Sequence, residues 1–191
     1  VLVVAGSWGV GEVEQTARLL VGSGRFTPIT VCGRDERLRR GLERERLGIV
    51  IGWTDEMATL MAASDALVEN AGGLTSMEAL AAGLPVITFN PIPGHGRENA
   101  AAMARAGVAQ WPDTMDELLE VLGGVTTPGP QRDAAVLTGA SVFAGDAAAD
   151  VAGVAQPGAS VVTLRSARRR RISRRMVGAV AATAAVYGGM T

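Results

Sequence analysis

The 191-residue sequence predicts an α/β domain built on a doubly wound, Rossmann-like parallel sheet. Two observations carry this. Hydrophobic residues make up 48% of the chain but aromatic ones only 4%. The core is therefore aliphatic, which suits a parallel sheet covered by helices on both faces. Short apolar runs also alternate with helix-patterned segments about five times before Gly123. That alternation is the mark of repeated β-α units, and ligands on such sheets bind beyond the carboxyl ends of the strands.

Val1–Ala5 reads as the first strand and Glu12–Val21 as the first helix, with the glycine-rich turn Gly6-Ser-Trp-Gly-Val-Gly11 between them. The spacing of Gly6, Gly9 and Gly11 is not G-x-G-x-x-G, and no acidic residue closes a second strand about 20 positions on. A nicotinamide cofactor is disfavoured, while a loop presenting backbone N–H groups to an anion is retained. Ile29–Cys32 is the second strand, and Arg34–Arg46 a charged helix whose arginines and glutamates are spaced for exposed ion pairs. Gly48–Gly52 reads as a short buried strand. Trp53 follows it, placed to shield a planar base, and Asp55 is the expected N-cap of a helix running to about Ala63.

The organising stretch is Ser64–Leu80. Ala66-Leu-Val68 is a buried strand, Asn70-Ala-Gly-Gly73 a tight turn, and Leu74–Ala82 a helix closed by Gly83. Strand, glycine turn and helix start together make a phosphate-binding geometry, because the free N–H groups and the positive dipole end point at the ligand. Glu78, one turn in, stands where a ribose diol would be held. Thr75-Ser-Met-Glu78 fits a capping box equally well, in which Thr75 and Glu78 only satisfy each other's backbone. Pro85–Phe89 is the next strand, Asn90–Asn99 a rigid loop and Ala100–Ala106 a helix. Val108–Gln110 is a last short strand and Thr114–Leu122 a further helix. Four segments, the Gly6–Gly11 turn, Trp53, Gly72–Glu78 and Pro93–Asn99, converge on the carboxyl rim.

Three segments of the chain are expected: a ligand-binding α/β domain over 1–125, a linker with alanine-rich helices over 126–160, and a tail over 161–191. All 19 acidic residues and eleven of the 18 arginines precede Arg165, and lysine is absent. That part is acidic, which argues against nucleic acid as a partner. The other seven arginines lie between Arg165 and Arg175, ahead of the apolar Met176–Tyr187, a pattern suited equally to an anionic membrane surface and to a disordered basic tail. The apolar run is about 12 residues against the roughly 20 a spanning helix needs. A single cysteine, Cys32, excludes an internal disulfide and a multi-cysteine metal site. The chain opens inside an apolar run, as expected of a fragment.

In five stretches the sequence resembles the C-terminal, donor-binding domain of GT-B glycosyltransferases. These are Val3–Gly11, Val31–Leu38, Gly52–Met57, Asp65–Leu80 and Asn90–Ala100. It is most similar to the group of monogalactosyldiacylglycerol synthases, processive diacylglycerol glucosyltransferases and the peptidoglycan N-acetylglucosaminyltransferase. The resemblance implies an inverting hexosyltransferase that moves a sugar from a UDP-sugar to a lipid acceptor such as diacylglycerol, cytoplasmic and peripheral at the inner membrane face. A cell-wall or small-molecule acceptor, or a non-catalytic nucleotide-sugar-binding module, are the alternatives. It implies that Gly6, Ser7 and Gly9 line the donor site and that Trp53 and Thr54 cover and read the uracil, with Met57 nearby. Gly72, Gly73, Leu74 and Thr75 would hold the diphosphate and Glu78 the ribose. Gly94, His95 and Gly96 would face the sugar, buttressed by Asn99. No cofactor or metal is implied, and the general base is expected from a separate N-terminal domain. Gly96 departs from the family, which usually carries Glu or Gln there to touch the sugar hydroxyls.

Overall fold

A computed structural model describes residues 1–155 apart from Ala5 and Ser7. Six parallel strands form one sheet: β1 (Leu2–Val4), β2 (Ile29–Val31), β3 (Ile49–Ile51), β4 (Leu67–Glu69), β5 (Val86–Thr88) and β6 (Ala109–Gln110). Their order is β3-β2-β1-β4-β5-β6. The chain reverses its direction of travel between β1 and β4, which pair directly with Val3 opposite Val68. A doubly wound sheet opens its ligand crevice at such a switch point. The helices are α1 (Val13–Gly22), α2 (Glu36–Glu45), α3 (Met57–Ala62), α4 (Leu74–Ala81), α5 (His95–Arg105), α6 (Met115–Thr126), α7 (Pro130–Ser141) and α8 (Ala147–Ala155). Residues Val1–Ala144 form one compact unit, and α8 lies in a second that starts at Gly145.

The strands are mostly apolar because both faces of the central ones are covered. On one face Val1, Val3, Val68 and Ile87 pack with Val13 and Leu20 of α1 and with Leu118, Leu122 and Val125 of α6. On the other, Leu2, Val4, Leu67 and Val86 pack with Met61 of α3, Ala79 and Leu80 of α4, and Met103 of α5. This is the period-two division of strand side chains. Cys32 lies in a third cluster with Ala17, Leu42 and Leu47.

Several boundaries differ from the sequence expectations. β3 is an edge strand with Ile49 half exposed, not a buried one. Helix α3 starts at Met57 after Glu56, so Asp55 is not its cap; the Thr54 hydroxyl instead accepts the Glu56 N–H at 3.0 Å. Helix α6 runs on past the expected Leu122, through Gly123-Gly124 to Thr126. Its start is fixed by a full capping box between Thr114 and Glu117. Helix α5 begins at His95 rather than Ala100. Gly94, at φ 79°, turns the chain in a conformation glycine tolerates, and Glu98 N–H then bonds to the Gly94 carbonyl at 3.2 Å.

Candidate functional site

The turn between β4 and α4 is held from beneath by a buried carboxylate. Glu69, the last residue of β4, is only 5% exposed. Its Oε2 accepts the N–H groups of Ala71 (2.6 Å) and Gly72 (2.5 Å), and its Oε1 accepts the hydroxyl of Thr88 (2.5 Å) on the neighbouring strand. Asn99 on α5 donates to the Ala71 carbonyl at 3.0 Å. Gly72 has φ 62°, and a Cβ there would lie 2.6 Å from that of Asn99. Only glycine fits the turn at this separation.

Above the turn, α4 begins at Leu74 with Gly73 as its N-cap and no side-chain cap bond. Thr75 is therefore a residue of the first turn, and the reciprocal bonds of a capping box with Glu78 are absent among the described residues. The N–H groups of Ser76 and Met77 reach back to the Gly73 carbonyl. Those of Gly73, Leu74 and Thr75 take no partner among the described residues. Three donors and the positive end of the helix dipole thus face the rim, the requirement for holding a phosphate. Glu78 is exposed and its carboxylate makes no hydrogen bond or ion pair among the described residues.

Asn70 ties three rim loops together. It is 7% exposed; its Nδ2 donates to the Val10 carbonyl at 2.7 Å, and its own carbonyl accepts the Ile92 N–H at 2.9 Å. The loops after β1, β4 and β5 are thereby fixed to one another. Asn90 adds a second tie, its Nδ2 reaching Glu12 at 2.8 Å. Gly11 needs its bareness because a Cβ would run into the Asn70 amide.

The loops after β1, β2 and β3 meet through flat side chains. The Arg34 guanidinium lies 4.6 Å from the ring centre of Trp53 and 5.9 Å from that of Trp8. Both indoles are more than half exposed. An arginine within about 6 Å of an aromatic face is attracted to it.

The profile of the glycosyltransferase family 28 C-terminal domain matches residues 1–122. The chain belongs to that family. Processive diacylglycerol beta-glucosyltransferases from Staphylococcus aureus strains JH9 and Newman are each 28% identical to it over 137 residues, which is 69% of this chain. The chain spans about a third of the length of these curated relatives, 35%. In fold it is similar to Medicago truncatula UGT71G1, solved complexed with UDP-glucose, with a TM-score of 0.50 and 17% identity over 74% of this chain and 39% of that one. The family 28 domain is a GT-B-like α/β unit whose carboxyl rim carries the segments just described.

Within this family 28 domain, Gly6, Gly9, Trp53, Thr54, Met57, Gly72, Gly73, Leu74, Thr75, Glu78, Gly94, His95, Gly96 and Asn99 all stand on loops or helix starts at the carboxyl ends of strands. Ser7 and Arg165–Arg175 lie outside the described residues. Met57 is half-buried beside the core rather than open. His95 is exposed at the first position of α5, but Gly96 is buried, and a Cβ on it would stand 2.5 Å from Ile92 Cγ1. Asn99 bonds to the Ala71–Gly73 turn rather than to residues 93–96.

Glu69, Asn70, Trp8 and Arg34 carry site geometry without having been singled out from the sequence. The only signals for them were a carboxylate and an amide ending an apolar run, and an arginine just after a strand. Among the described residues no cluster of His, Cys, Asp and Glu could hold a metal ion, and no helix is long and apolar enough to cross a membrane.

Proposed function

We propose that this chain is the donor-binding half of an inverting hexosyltransferase that moves a sugar from a UDP-sugar to a lipid acceptor such as diacylglycerol. The observation that carries the reading is the start of α4. Three uncommitted N–H groups sit at a helix N-terminus beside the β1–β4 switch point, with the free Glu78 carboxylate one turn on. The diphosphate sits on Gly73–Thr75, the ribose diol on Glu78, and the base near Trp53 and Thr54. Family membership over residues 1–122 supports a nucleotide-sugar donor, and the names of the curated relatives support a lipid acceptor. A base from outside this chain removes the acceptor proton, and the hydroxyl displaces UDP at the anomeric carbon. The α4 N-terminus stabilises the charge that develops on the leaving diphosphate. Residues 1–125 form the nucleotide-sugar domain, and Arg165–Arg175 seats the protein on the inner, cytoplasmic membrane face.

The bare, buried Gly96 favours a sugar pocket without the acidic or amide contact usual in the resembling group, and so a different choice of donor sugar. Calorimetric titration of the 191-residue chain with UDP, UDP-glucose, UDP-galactose and NAD tests the reading. Uridine ligands bind and NAD does not. Glu78→Ala weakens UDP about tenfold, the loss of one charge-assisted hydrogen bond. Equal UDP affinity in Glu78→Ala would refute the role of Glu78.

A further inference from the structure

We infer that Arg34, held by the indoles of Trp8 and Trp53, is a base-reading residue that donates to a carbonyl oxygen of the donor's nucleobase. The inference rests on the UDP-site reading above and adds to it a residue, a contact and a selectivity.

Three adjacent strands, β3, β2 and β1, each place one flat group on the rim: Trp53, Arg34 and Trp8. Two large indoles left more than half exposed are costly on a surface that binds nothing. The guanidinium is exposed as well, and it has no carboxylate or carbonyl partner among the described residues. On the adjoining helix Arg39 is engaged by Glu36 and Glu43, and Arg40 lies 3.8 Å from Glu36. Arg37 and Arg44 there make no ion pair among the described residues but stack on no aromatic ring either, so the two flanking indoles are what set Arg34 apart. Cation–π contact uses the face of the guanidinium and leaves the N–H edge open.

Position selects the base over the diphosphate as the partner of that edge. The free α4 N–H groups follow β4, two strands from β2 in the sheet order. Neighbouring strands lie about 4.8 Å apart, so Arg34 and the diphosphate turn are separated by roughly the reach of a nucleoside. A ligand with its phosphates on Gly73–Thr75 brings its base to the Trp53 end. The five guanidinium donors lie in one plane. A base that accepts from them lies in that plane too, an edge-on contact that reads carbonyl oxygens. Uracil presents two; adenine presents none.

The test is calorimetric titration of the 191-residue chain with UDP, uridine and ADP, in the unaltered protein and in Arg34→Gln and Arg34→Lys. Arg34→Gln lowers affinity for UDP and for uridine by the same factor, about tenfold for one charge-assisted hydrogen bond, and leaves ADP unchanged. The preference for UDP over ADP shrinks by that factor. Arg34→Lys does not restore it, because an ammonium lacks the planar fork. A loss confined to UDP with uridine spared would assign Arg34 to the phosphates and overturn the inference, as would unchanged affinities in both variants. If the unaltered chain bound UDP and Glu78→Ala weakened it while Arg34→Gln did not, the donor site would stand and the role of Arg34 would fall. No binding of UDP by the unaltered chain would overturn both.

Discussion

Replacing Glu69 tests whether the diphosphate turn is built on a buried carboxylate. In Glu69→Ala the N–H groups of Ala71 and Gly72 and the hydroxyl of Thr88 lose their acceptor. An orphaned buried polar group costs about 1–3 kcal/mol, but the vacated space admits water and a buried charge is removed. The expected net loss is therefore about 3 kcal/mol rather than the full sum. Glu69→Gln behaves differently. Its amide oxygen can still accept from Ala71 and Gly72, and its NH2 can donate to Thr88, whose hydroxyl rotates to accept. Only the charge assistance goes, an expected cost of about 1 kcal/mol. Urea unfolding of the two variants and the parent measures both values, with an unchanged slope showing that the native state is intact. UDP affinity falls further in Glu69→Ala than in Glu69→Gln, because the glycine turn loses its floor. Equal stability of Glu69→Ala and the parent would refute the reasoning, and so would a Gln variant as damaged as the Ala variant.

Two further outcomes follow from packing and burial. Gly96→Glu forces a side chain into the space of Ile92 and destabilises the domain by about 1–3 kcal/mol; adding Ile92→Ala recovers part of it, and thermal unfolding of the single and double variants reads the difference. Burial pushes the Cys32 thiol up from 9.0 to about 11. The unfolded chain then releases that proton first, so this contribution to stability is complete well below pH 9 and falls by about 2 kcal/mol between pH 9 and 11. Unfolding free energies across that range should decline more steeply than in Cys32→Ala, and parallel curves would contradict the assignment.

Much of the fold is legible because burial on both faces writes strands such as Val1-Leu-Val-Val4 and Val86-Ile-Thr88 as apolar runs between helical segments. The glycine turn at Gly72 was legible for the same local reason, since the chain has to reverse between a strand and a helix. What local pattern cannot carry is the outcome of contact across the sheet. Thr75-Ser-Met-Glu78 and Thr114-Met-Asp-Glu117 spell the same capping motif, yet only the second forms a box. At the first, Gly73 already starts the helix, so Thr75 falls inside it. Asn70 and Arg34 act only because β1 lies between β2 and β4, a neighbourhood the order of residues does not state. Helix α5 starts five residues before Ala100, because the left-handed Gly94 turns directly into the helix where Gly94-His-Gly96 reads as loop.

An NMR titration of the 15N-labelled chain with UDP tests whether the start of α4 holds the donor diphosphate. The amides of Gly73, Leu74 and Thr75 are open, while those of Ala71 and Gly72 are already bound by Glu69. The largest shifts are expected at residues 73–75, saturating together with shifts at the Trp53 and Trp8 indoles, with smaller ones at 71 and 72. Saturable binding that leaves residues 73–75 unmoved would contradict that placement of the diphosphate.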